Sequence, residues 1–273
     1  MPLPLWLATA GVAPTIIRKR NLTTLIRALS AEVLKTKRTL TLWLVILAPL
    51  AIAFLEFVMD MQRGVRALRP NTDAWIGLTQ NSLILWALLM LPLFVTLETG
   101  LLNAQEHGNK MWKQLYATPL PRWAVYAAKQ LIGLALVGLS TLTLLAMSLG
   151  VGFLLNLLKP EFGFVLPINW AVIIPAYALV YLAAWLLISL HLWVSARWSS
   201  FIVAMGVGIV ATVAGVLVIN SDWAKVYPWT LPGLASIGYM EGDAIAAQAA
   251  LGFLGGIVVA LAGGWDVTRR EIF

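Results

Sequence analysis

Asn103, Glu106, His107, Lys110, Lys113 and Gln114 recur at intervals that bring them to one side of a single predicted helix. Leu101, Gly108, Trp112 and Leu115 fall on the other side. Both charge signs are present on the polar face. A helix lying on a membrane carries mostly Lys and Arg there, so this face is suited to docking against a protein rather than against lipid. Asn103, Glu106, His107, Lys110 and Lys113 are the expected contact residues. The helix is expected over about 99–117 and should stop before Thr118-Pro119-Leu120-Pro121, because proline disfavours helical geometry at the residue before it.

Other chemistry is sparse. No G-x-x-x-x-G-K-[ST] loop occurs, so nucleotide hydrolysis by that route is excluded. H-E-x-x-H and G-x-S-x-G are also missing. The chain has no cysteine, which excludes disulfides, thiolate metal sites and a cysteine nucleophile. His107 follows Glu106 directly, and neighbours on a helix do not converge on one ligand. His191 reads as a polar helix-packing residue. Glu56 with Asp60, and Glu241 with Asp243, are the only acidic pairs a membrane-bound lipid-modifying enzyme could use, and that reading ranks last. No catalytic residue, metal ligand or cofactor of its own is expected.

The elements that carry these residues cross a membrane. Of 273 residues, 60% are hydrophobic and 11% charged, against about 25% charged in a soluble domain. Six apolar spans are predicted near 40–59, 76–97, 124–156, 170–195, 201–219 and 244–265. Trp43, Trp75, Trp123, Trp170, Trp193, Trp198 and Trp265 fall near their ends, where an amphipathic ring is best accommodated. Pro49, Pro92 and Pro175 lie inside spans and are expected to kink them. Residues 1–21 read as a tail, 22–38 as an interfacial helix with Leu22, Leu25, Ile26, Leu29 and Val33 on one face, and 39–273 as a six-span transmembrane domain. With both termini in the cytoplasm, fourteen Lys and Arg lie inside and five outside. Glu56, Asp60, Glu98 and Lys129 sit towards span ends. An uncharged midplane argues against proton or sodium drive.

The loop over about 220–243 is unusual. Trp223, Tyr227, Trp229 and Leu231 crowd a segment punctuated by Pro228 and Pro232. It is expected to dip back into the outer leaflet or pack on the bundle, as a capping loop or as an outer gate in which Trp223, Tyr227 and Trp229 meet the substrate. Ala204, Gly208, Ala211 and Gly215, and then Gly252, Gly256, Ala260 and Gly264, place small residues at four-residue spacing, for packing within the bundle or for a dimer seam.

Asn103, Glu106, Trp112-Lys113, Leu115, Ala117, Pro119, Pro121-Arg122, Tyr126 and Ala128-Lys129 together resemble permease subunits of the ABC-2 type, most of all the group tied to lantibiotic and bacteriocin immunity and to drug or peptide export. The interfacial helix ending in Glu32, Lys35 and Lys37 and the six spans are similar too, so the resemblance covers roughly residues 22–273. The apolar stretch over 1–15 departs from the pattern. The resemblance implies an all-α integral membrane protein of the ABC-2, type V exporter kind, with an N-terminal interfacial helix and a cytoplasmic coupling helix. It implies two ATPase subunits that bind ATP and Mg, a second permease copy or paralogue, and no nucleic acid. It implies location in the cell (cytoplasmic) membrane and export of a hydrophobic or amphipathic cargo. The alternative is a membrane-embedded peptide-binding immunity or receptor scaffold with no transport cycle.

Overall fold

The structure is a computed structural model that describes residues 13–37, 39–64, 73–108, 120–198, 200–241 and 246–269. It is all helical among those residues, with six helices long and apolar enough to cross a membrane. They are span one Leu40–Arg63, span two Ala74–Ala104, span three Arg122–Leu158, span four Trp170–Arg197, span five Phe201–Val218 and span six Ala247–Arg269. One end of the bundle carries the N-terminal helix, Arg197 and Arg269, and is termed the basic end. The other carries Gly64, Asp73 and the segment after span five, and is termed the loop end. Every predicted span is found within a few residues, except that span two runs on from 97 to Ala104.

The N-terminal helix runs Ala13–Thr36 and so starts earlier than expected. Pro14 does not prevent this, because the first turn of a helix has no partner for its N–H groups anyway. The expected apolar stripe is split, with Leu29 packed beside Ala28 and most of the rest turned outward, as a face offered to lipid would be. Leu22, Ile26 and Val33 are exposed, while Ala28, Glu32 and Thr36 are buried. Ala28 sits against Ala124 and Ala128 of span three, so small residues on both sides let the helices approach closely.

The intraspan prolines are accommodated in different ways. Pro49 has no N–H to give the carbonyl of Val45, and the hydroxyl of Ser140, on span three, donates to it instead at 3.2 Å. Ahead of Pro92 the helix widens into one π-helical turn, Trp86–Met90, which clears the proline ring from the preceding turn. Span four does break, but at Ala183–Trp185 rather than at Pro175.

Small residues pack within the chain. A Cβ on Gly252 would fall 2.3 Å from the Ala183 carbonyl oxygen, and one on Gly256 would fall 2.7 Å from the Trp185 carbonyl carbon. Span six therefore lies backbone to backbone on the break in span four. Polar side chains tie the remaining spans together. Tyr177 donates to the Thr79 carbonyl at 3.1 Å and Tyr181 to that of Leu134 at 3.0 Å. Gln130 donates to Ser189 at 2.6 Å. Trp75 is not an interfacial anchor. It is buried, packs between Phe153 and Phe164, and donates its indole N–H to the Val165 carbonyl at 3.1 Å. Trp43, Trp170, Trp198 and Trp265 are exposed as expected.

Candidate functional site

Two arrangements stand out, one at each end of the bundle. At the basic end, span two does not stop at the edge of the apolar core. Its second half is one helix, Leu91–Gly108, which carries the backbone of Glu106 and His107 beyond the last apolar turn. Lys110, Trp112, Lys113 and Pro119 lie outside the described residues, as does the second half of the expected polar helix, from residue 109 on.

Asn103 is not on a polar surface. It is 1% exposed, and its amide donates to the Thr99 carbonyl at 3.0 Å and to Ser195 Oγ at 2.8 Å. The helix turns this position towards span four, so Asn103 is a packing contact rather than part of a docking face. Three residues on, the sequence pattern cannot distinguish a polar residue facing a neighbouring helix from one facing water.

Lys129, in span three near the basic end, is buried and joins three elements. Its Nζ donates to Glu32 Oε2 at 3.1 Å and to the Leu102 carbonyl at 2.8 Å. Lys35 also pairs with Glu32. The N-terminal helix, span three and the extended half of span two therefore meet at one ammonium group. Pro121 and Arg122 open span three, with Pro121 in extended geometry just before the helix. Glu98, inside span two, is 0% exposed, and neither carboxylate oxygen has a hydrogen-bond partner among the described residues.

At the loop end, the segment after span five folds back into the bundle. A short turn, Asp222–Lys225, stands at the surface, followed by a helix, Leu231–Glu241. The phenol of Tyr227 donates at 2.9 Å to the carbonyl of Ala211, in the middle of span five. Trp229 packs edge-on to His191 of span four with ring centroids 5.2 Å apart. A Cβ on Gly233 would lie 2.2 Å from Leu88 Cδ2, in the widened turn halfway along span two. Buried Thr230 donates to the carbonyls of Ala224 and Tyr227 and closes the reversal. The expectation that this loop packs on the bundle holds, and its tip reaches the mid-depth of spans two and five.

The three aromatic residues expected there separate. Tyr227 and Trp229 turn inward. Trp223 is 76% exposed beside the surface pair Asp222–Lys225, where the hydrogen-bonded ammonium holds the Asp222 carboxyl below its ordinary range. His191 is a packing residue in its described contacts, with Nε2 3.3 Å from Thr96 Oγ1. A Cβ on Gly208 would collide with both Thr96 and His191, so span five also closes on this point. Thr96, Leu88 and Ser195 carry no periodic signal that would have marked them in the sequence.

The chain matches the family described as ABC-2 family transporter protein over residues 28–215, well over half its length. No match was found among curated proteins or among solved structures. The matched region begins within the N-terminal helix, contains the junction at Lys129 and ends in span five, before the re-entrant segment.

Proposed function

The chain belongs to the ABC-2 family of transporter proteins, and from that premise we propose that it is the permease subunit of an ATP-driven exporter. Two ATPase subunits bind ATP and Mg and hydrolyse the nucleotide, while this chain hydrolyses nothing. It works beside a second permease, either a copy of itself or a paralogue. The basic end faces the cytoplasm in the cell membrane, with both termini on that side.

The segment after span two acts as the coupling helix and offers Glu106, His107, Lys110 and Lys113 to a groove of the ATPase. Asn103 leaves this set because it is buried against span four. Cargo of hydrophobic or amphipathic character, such as an antimicrobial peptide, drug or lipid, passes beside spans two and five, with Tyr227 and Trp229 on its outer route.

One observation carries this reading. A single helix, Leu91–Gly108, runs from contacts with spans four and five to the segment that bears Glu106 and His107. Movement of that segment would reach the packing around Thr96 and Gly208 with no joint between them. Lys129 would tie the N-terminal helix to the same movement.

The test is a mild-detergent pull-down from the native host followed by an ATPase assay on the eluate. A coeluting ATPase whose activity no longer responds to cargo in Glu106→Lys is the expected result. A chain that elutes alone and functions alone would instead be the peptide-binding scaffold.

A further inference from the structure

Between spans one and two, near the loop end, lies a half-open cavity of about 310 Å³. Glu56, Asp60 and Arg63 line one wall at the spacing of successive helical turns, and Asn81 lines the other, with Met59 and Ile84 as apolar wall. Glu56 lies roughly 10 Å along span one from Arg63, at 1.5 Å per residue, so the cavity reaches well below the helix end.

Its floor is polar and incompletely satisfied. Glu56 is 3% exposed, and Ser82 Oγ donates to its Oε2. Its other oxygen, Oε1, has no hydrogen-bond partner among the described residues. Asp60 is 4% exposed and forms no ion pair among the described residues. Lys159, at the end of span three, is engaged with the Met61 carbonyl at 2.9 Å. A buried acceptor left open is costly, and a donor entering from outside would recover that cost.

The lining selects the donor. Among the described lining residues, two carboxyl groups and one guanidinium leave one negative charge in excess when all are ionised. A bare Ca²⁺ ion takes about six or more oxygens, and an arginine in the wall would oppose it. An organic cation with one to three N–H donors fits better, because its charge balances the excess and its tail meets Met59 and Ile84.

We infer that this cavity binds an ammonium or guanidinium group carried on an apolar tail. The occupant is the headgroup of an amino-phospholipid, whose tail can lie along spans one and two beside the half-open cavity; a basic side chain of an amphipathic peptide, which would read Glu56 and Asp60 in the same way, is the other outcome of the test. The inference holds whether or not the chain is an exporter.

The test uses the full chain in phosphatidylcholine nanodiscs and a decylamine bearing a diazirine on its chain, with the matching decanol as control. Mass spectrometry of photolabelled peptides should show saturable labelling at Met59 and Ile84 by the amine alone. Glu56→Gln and Asp60→Asn should each lower that labelling about tenfold, the loss of one charged hydrogen bond. Arg63→Gln, at the exposed mouth, should raise it several-fold and does not depend on the buried carboxylates folding normally. Equal labelling by amine and alcohol, or labelling indifferent to all three substitutions, overturns the site. Competition by lysophosphatidylethanolamine supports it and assigns a lipid ligand, and competition by a short Leu/Lys peptide supports it and assigns a peptide. Competition by neither overturns the ligand class.

Discussion

The hydroxyl of Ser140 donates to the carbonyl of Val45 across the interface of spans three and one, and that carbonyl is the one Pro49 leaves without its helical N–H. The bond repairs a local defect and docks two spans at once. Ser140→Ala should destabilise the detergent-solubilised protein by about 1 kcal/mol. In a Pro49→Ala background the helix restores its own bond, so the same substitution should cost less than half as much. Thermal unfolding of the four variants of this cycle measures the difference, and equal costs in both backgrounds would refute the repair.

Lys129 is held by Glu32 and by the Leu102 carbonyl with almost no access to water. Removing one partner leaves the other charge buried. Glu32→Leu alone should cost about 3–5 kcal/mol. The double variant Glu32→Leu/Lys129→Met should regain most of this, because both charges are gone and the volumes remain. A double variant no better than the single one would show that the pair is not the source of the loss.

Gly252 and Gly206 make a controlled comparison. A Cβ on Gly252 meets the backbone of Ala183, which has no side chain to rotate away, while one on Gly206 meets nothing within 4 Å. Gly252→Ala should lower stability by about 1–3 kcal/mol and loosen span six from span four. Gly206→Ala should be neutral or mildly stabilising. Cross-linking yield between cysteines introduced at exposed positions of spans four and six reports the first effect.

Trp229 and Trp223 should differ in the same sense. Trp223→Ala, at an exposed position, should stay within about 0.5 kcal/mol of the parent. Trp229→Ala removes the ring packed on His191 and should cost about 1–2 kcal/mol, below the usual figure for a soluble core because lipid shares the apolar character of the interior. It should also speed proteolysis between Ser221 and Thr230 added from the loop side.

The spans were legible because runs of about 20 apolar residues have few alternative explanations. The pattern was weaker wherever two buried surfaces compete. On the N-terminal helix, Leu22, Ile26 and Val33 form the more apolar stripe, yet Ala28 and Glu32 form the packed one. Hydrophobicity cannot rank faces when lipid as well as protein accepts apolar side chains. Asn103 and Trp75 were misread for a related reason. Each satisfies its polar group on a residue roughly ninety positions away, Ser195 in one case and the Val165 carbonyl in the other. No local spacing announces such a partner. The re-entrant segment was signalled by its composition, but the depth it reaches depends on Gly233 meeting Leu88, again a distant pair.

The widened turn at Trp86–Met90 has a geometric consequence for span two. It accommodates one residue more than a regular helix of the same rise, and each residue turns a helix by about 100°. The two halves of span two are therefore out of phase. The half nearer the loop end presents Trp75, Leu78 and Ser82 to spans one and three and their loops, and the half nearer the basic end presents Thr96 and Asn103 to span four. Deleting one residue within 86–90 would bring the halves into phase and rotate Thr96 and Asn103 off their partners together. Loss of or addition to that turn is thus equivalent to twisting the basic-end half of span two as a screw, with Leu88 and Gly233 at its bearing.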